Sequence, residues 1–501
     1  MLLSRRVPII VVLLMLAEVV VVAAALWPQR ESPGDSTLQT MASVPEQAWR
    51  ITADQLAGAE SDRAGISIEA ESEDVLVVSG YAEPYSPTAT LAAVNADSGE
   101  QIWSATTVGR WQRCDVGGDE VVACTKNVRD RGEIVSRVHF FDLRSGRELS
   151  RQTIHVRGPV TVAAVGDGFV AAATRDDGLS LIEERLVPDP TYDRAPDASE
   201  VAVGETALVG YSGSGDRSWS TTVPAGRSSL RSAAGSRVVA MEGDRAAGFS
   251  IYRVDTGAQV YSSADPVPEE EYARNAYRKY ASKYHGLLVW TSGDIPESYV
   301  LFDGGFAIDS ASEPTVRFYD ETGHHGPDLP GWTLMTNEFE PMTIDRDRVP
   351  VEEWITRRFA VASGRSGELL WSRYDRADVV ESIGDGELAV ATDDFDAADV
   401  FFRTWRVVDA DTGSEGRALV TRFGRSLLGY DGRRLIFAGA PDAQQEPNIP
   451  RLSAFDGRSA AQRWEIEPVH DYSATWERAG RGLYLVGAAG YGPGWISRYA
   501  D

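Results

Sequence analysis

Three groups of side chains in this sequence have types and spacings that could do chemistry. Gly210-Tyr211-Ser212-Gly213-Ser214 follows the Gly-x-Ser-x-Gly pattern of a nucleophile elbow, but Ser214 stands where the closing glycine belongs. It also sits inside a turn between two extended runs, not on a strand-to-helix bend. His324-His325 lies between Gly323 and Gly326, and two adjacent histidines in a turn fall short of the three or four ligands a zinc site needs. Asp393, Asp394, Asp396 and Asp399 could offer hard oxygen ligands to calcium, yet they form no Asp-x-Asp-x-Asp-Gly loop. The reading is therefore of no catalytic residue and no metal ligand, with an enzyme function left uncertain.

Cys114 and Cys124 are the only cysteines. The residues between them read as a hairpin centred near Asp119, with each cysteine five positions from the centre. Side chains so placed face each other across an antiparallel ladder. A disulfide is the expected state in an oxidising compartment, and a pair of free buried thiols is the alternative. No metal-binding cysteine set and no Cys-x-x-Cys-His haem attachment is present.

The elements that carry these residues repeat. Ala92-Ala93-Val94-Asn95-Ala96-Asp97-Ser98-Gly99-Glu100-Gln101-Ile102-Trp103 reads as strand, tight turn and strand. Gly215 leads in the same way to Trp219, Gly257 to Tyr261 and Gly367 to Trp371. Phe141–Gly146 and Val408–Gly413 repeat the turn without the tryptophan. Ala454–Gly457 leads to Trp464 with Ala460 in the glycine position, and Phe318–Gly323 leads to Pro327 where an aromatic ring belongs. The turns recur mostly every 42–47 residues, with gaps of 66 and 69. A period of about 40–50 residues built from short strands is that of a β-propeller.

The pattern Ala-x-Asp-x-x-x-Gly-x-x-x-Trp resembles the repeat of the PQQ-binding-like propellers, over roughly residues 66–500. That family includes quinoprotein alcohol dehydrogenases and the propeller lipoprotein of the outer-membrane β-barrel assembly machinery. The resemblance implies a fold more than a function, because the cassette is a packing device. The dehydrogenases bind PQQ on the propeller axis, commonly against a disulfide of adjacent cysteines. Cys114 and Cys124 are not adjacent, and no calcium set is assignable. No cofactor is expected, with PQQ or calcium as the alternatives. The recurring rings Trp49, Trp103, Trp219, Tyr261, Trp371 and Trp464 are expected to pack between blades.

Residues 1–6 form a basic head and Val7 to Trp27 an apolar run broken only by Glu18. Its length suits a bilayer crossing, with Arg5 and Arg6 holding the N-terminus in the cytoplasm. A cleaved signal peptide ending near Ala23-Ala24-Ala25 is the competing reading. Residues 28–46 read as a flexible tether, and 47–501 as the propeller. Ala48-Trp49-Arg50-Ile51-Thr52 looks like the outer strand of a blade whose other strands lie near the far end, Gly482–Val486 and Trp495–Tyr499. Eight blades of four antiparallel strands are expected, within a range of seven to nine. Two insertions interrupt the period near 176–205 and 265–284; the second reads as a helix with Tyr272, Ala276, Tyr280 and Tyr284 on one face. Pro350 to Arg358 also reads as a short helix.

The balance of 49 Lys and Arg against 75 Asp and Glu gives a net charge of −26, which excludes a phosphate-neutralising surface and with it a nucleic-acid partner. The composite expectation is a membrane-tethered, extracytoplasmic propeller that binds another protein or an envelope component without catalysis. A PQQ-dependent oxidoreductase and the sensor ectodomain of a membrane signalling complex are the alternatives.

Overall fold

In the computed structural model, residues from 37 onward are described, except for 176–204, 264–297, 440–450 and several shorter stretches at strand connections. The expected membrane run at 7–27 and nearly all of both insertions thus fall outside the described residues, as do residues 28–36 of the tether. Among the described residues, no helix is long and apolar enough to cross a membrane.

Among the described residues, nine sheets, antiparallel but for one short strand, follow one another along the chain. Numbered as blades 1 to 9, they occupy residues 65–108, 111–154, 160–223, 229–262, 298–330 with 342–344, 332–372, 379–422, 426–466, and 474–500 with 46–52; eight of them have four strands each. The first runs through Gly65–Glu71, Val75–Tyr81, Thr88–Asn95 and Gln101–Val108, paired in that order from the inside outward. The middle strands are buried on both faces, as in Val75–Gly80, because a neighbouring sheet covers each side. The outer strand Gln101–Val108 alternates exposed and covered residues instead. Blades packed radially lie close at the axis and splay outward, so the last strand needs a large ring on one face and meets water on the other. Apolar clusters accordingly span adjacent blades: one joins Val77 and Leu91 of blade 1 to Val122 and Phe141 of blade 2.

Among the described residues the count is nine, one above the expected eight and within the expected range of seven to nine. The weak repeat at Phe318–Gly323 is a full blade, with strands Ser298–Phe302, Gly305–Asp309, Thr315–Asp320 and His325–Pro330. Pro327 is tolerated there because it lies on the outermost strand, at a register shift between His325 and Asp328 where the ladder is interrupted. A further short strand, Met342–Ile344, leaves blade 6 and pairs in parallel with the innermost strand of blade 5, Val300 opposite Met342.

The ninth blade closes the ring. Ala474–Ala479, Gly482–Gly487 and Trp495–Ala500 pair in turn, and Glu46–Thr52 adds the outer strand from the other end of the chain. After it a short helix, Ala53–Ala57, carries Leu56 onto Gly80, where a Cβ would lie 2.8 Å from the leucine.

Two further expectations are corrected. Pro350 to Arg358 is not helical: Arg348–Glu353 is a strand, with Val349 and Val351 buried, followed by a turn into Phe359–Ser363. Alternate β-branched residues decided the conformation over the Pro-Val-Glu-Glu start that favours a helix. Within the expected tether 28–46, residues 37–46 are not free chain, since Leu38 and Met41 are each 1% exposed.

Candidate functional site

Where a blade carries a cassette ring, the ring reaches forward to the next segment of the circle. The indole Nε1 of Trp49 donates to Ala96 O at 2.8 Å, Trp103 to Leu143 O at 2.8 Å, Trp219 to Val254 O at 2.6 Å and Trp371 to Ala410 O at 2.8 Å. Trp464 donates to Met41 O at 3.0 Å. Tyr261 lies between Phe249 of its own blade and Phe306 and Tyr319 of the next. Pro327 takes the same position against Gly367.

The antiparallel order sorts the connections between two rims. The first-to-second and third-to-fourth strand turns share one rim; the second-to-third connections and the blade-to-blade links share the other. The first is a rim of short turns that cap themselves, as where Asn95 Oδ1 accepts the N–H groups of Asp97 and Ser98. The second is the loop rim, and both long insertions spring from it. Residues 176–204 connect the second and third strands of blade 3, their base closed by Arg175 N–H on Glu205 O and by paired Thr174 and Thr206 hydroxyls. Residues 264–297 link blade 4 to blade 5. One described second-to-third-strand connection on this rim is Glu353–Arg358, where Arg357 has a φ of 59° and Ile355 is 87% exposed.

The candidate chemical groups do not converge. Ser212 caps its own turn, accepting from Asp216 N–H and sharing a bond with Ser214. His325 Nε2 meets Asp328 at 2.8 Å on an exposed edge. Asp393 is held by both arms of Arg403, at 2.6 and 2.9 Å, so its charge is already matched. Asp396 and Asp399 lie outside the described residues. Among the described residues, no group of three or more His, Cys, Asp or Glu side chains is placed to hold a metal.

Cys114 and Cys124 form a disulfide between the first two strands of blade 2. It is buried against blade 1 with Trp103, Trp111 and Phe141, so the sulfurs belong to the interblade layer. Beside it lies a set of groups that sequence reasoning missed. Lys126 packs over the Trp111 ring at 4.4 Å and donates to Val108 O at 3.4 Å. Burial, with the Arg151 charge, pushes its pKa down to about 8. His139, directly across from Cys124, donates from Nδ1 to Glu148 Oε1 at 2.7 Å. Burial and the Lys126 charge push its pKa down to about 4. The imidazole is therefore neutral near pH 7, and Arg151 holds Glu148 ionised from its other side. A carboxylate–imidazole pair can serve as a general base, but His139 is 3% exposed and no substrate reaches it without parting blades 1 and 2.

A second buried acid sits between blades 9 and 1. Glu71 Oε1 accepts from the Tyr484 hydroxyl at 2.9 Å, and burial lifts its pKa to about 8. The two are 413 residues apart in sequence.

No protein-family model matches the chain, and no curated protein does. Solved structures of similar fold include the computationally designed Ika8 protein, 10% identical over 88% of this chain and 98% of that one, with a TM-score of 0.39. They also include a quinohemoprotein alcohol dehydrogenase from Comamonas testosteroni, 11% identical over 94% and 78%, TM-score 0.37. BamB from Moraxella catarrhalis is 14% identical over 91% and 100%, TM-score 0.34. These likenesses describe the fold alone.

Proposed function

We propose that the chain is a propeller held at a membrane through residues 7–27 and displayed outside the cytoplasm, where its loop rim binds another protein or an envelope component without catalysing a reaction. The observation that carries this reading is the asymmetry of the rims. Both long insertions leave from the loop rim, and binding residues are concentrated on loops set by a rigid scaffold. The Cys114–Cys124 disulfide supports an oxidising compartment.

The test is photo-crosslinking in intact cells from a probe at Ile355 on the loop rim and another at Ser98 on the turn rim. A discrete adduct from Ile355 alone is expected. Equal adducts from both positions, or none from Ile355, would overturn the reading. Carbonate extraction of the membranes tests the anchor separately, the chain being expected to stay in the pellet.

A further inference from the structure

The third-to-fourth strand turns share a chemistry. Asn95, Asp142, Asp320, Asp409 and Asp456 each accept, through one side-chain oxygen, N–H groups two to four residues on. For Trp49, Trp103 and Trp371, the preceding blade's ring then bonds the carbonyl of the residue just after the Asn or Asp.

Blade 9 has no continuous turn at this place, since its third strand is Trp495–Ala500 and its fourth is Glu46–Thr52. The same chemistry is nonetheless present. The Asp501 carboxylate accepts the N–H groups of Ala42 and Ser43, the latter at 3.1 Å, and the Ser43 hydroxyl at 3.1 Å. Met41 O receives the Trp464 indole. Upstream, Leu38 N–H donates to Tyr430 O at 2.6 Å, Gln39 N–H to Arg481 O at 2.8 Å and Met41 N–H to Asp431 Oδ2 at 3.0 Å. Arg498 reaches Gln39 Oε1 at 2.8 Å, and Leu38 and Met41 fill the gap between blades 8 and 9.

We propose that residues 37–43 and Asp501 form a clasp: a ninth turn assembled from two distant chain segments, which closes the ring together with the strand pairing of 46–52. The seam between these segments then loosens whenever residues 37–43 are withdrawn, which couples closure of the propeller to the state of the chain upstream. A passive strap would be held by the ring without holding it.

Hydrogen exchange followed by mass spectrometry on the full chain separates the two. With Asp501→Ala, exchange in the peptide covering 37–45 should rise at least tenfold, and in Glu46–Thr52 and Trp495–Ala500 at least threefold, with Gly168–Thr174 of blade 3 unchanged. Asp501→Asn, which keeps an accepting oxygen, should restore most of the protection. Acceleration confined to 37–45, or none anywhere, would overturn the proposal. Should Asp501→Ala fail to accumulate, Trp464→Phe keeps the ring and removes only the bond to Met41 O; the same two seam strands should then loosen, and their staying protected would count as the same refutation.

Discussion

Trp103 and Gly146 belong to different blades and shape each other: a Cβ built on Gly146 would lie 2.6 Å from the indole, and the glycine has a φ of 67°. The glycine is required twice over, by backbone conformation and by the ring lying against it. Gly146→Ala should lower stability by about 2–4 kcal/mol, from left-handed backbone strain plus overpacking. In denaturant titrations, Trp103→Leu should cost less in the Gly146→Ala background than alone, with a coupling of about 1 kcal/mol or more. Additive costs would refute the pairing.

At the joint between blades 7 and 8 the ring and the glycine are both absent. Arg417 holds the ring position of blade 7, and the next blade carries Ala460 at a φ of 57°. No indole crowds that Cβ, so only the backbone strain remains. Ala460→Gly is expected to raise stability by about 0.5–1 kcal/mol, the relieved strain being partly offset by the freer unfolded chain. A thermal melt showing a lower midpoint would argue against it.

Glu71 gives the seam of blades 9 and 1 a pH dependence. Its folded pKa of about 8 lies above the ordinary value of 4.5, so the unfolded chain loses this proton first. Its contribution is full at low pH, declines as pH rises from 4.5 to 8 and is flat above, a change on the order of 5 kcal/mol. Lys126 and His139 run the other way, gaining stability as pH rises from about 8 to 10.5 and from about 4 to 6.5. The measurement is thus a difference: Glu71→Gln should match the parent near pH 4 and exceed it in stability at pH 9. Parallel curves for the two proteins would show that Glu71 carries no buried charge.

The disulfide closes a short loop, with a sequence separation of 10. Replacing both cysteines by alanine should cost about 2–3 kcal/mol on the loop-entropy estimate. Unfolding of the double variant should become insensitive to added dithiol, while the parent loses stability in it.

Much of the ring was legible because the cassette is local: glycine, three residues, then an aromatic ring, all within one hairpin. The Cys114–Cys124 bond was legible for the same reason, since hairpin symmetry sets the pairing. What was not legible depends on residues far apart in sequence. Glu71 and Tyr484 come together only when the ring closes. Lys126, His139 and Glu148 share a face through strand register that no short window displays. Leu38 and Met41 do stand out as apolar residues in a polar stretch, but their seat on Tyr430, Asp431 and Trp464 is made by blade 8. The blade count was legible only as a range of seven to nine because Pro327 replaces a ring, and its packing on Gly367 belongs to the neighbouring repeat.

Since Trp49, Trp103, Trp219 and Trp371 are each matched to a glycine in the following blade, the repeats joined this way share a common fitting. A gene segment carrying one blade can be copied next to itself and still find a partner ahead and behind. Growth by unequal copying therefore need not pass through a mismatched ring. Joint drift, as at Arg417 and Ala460, leaves a joint that accepts a standard neighbour on one side only: the alanine would clash with an incoming tryptophan. Such worn fittings mark the places in the gene where further copying would be least tolerated.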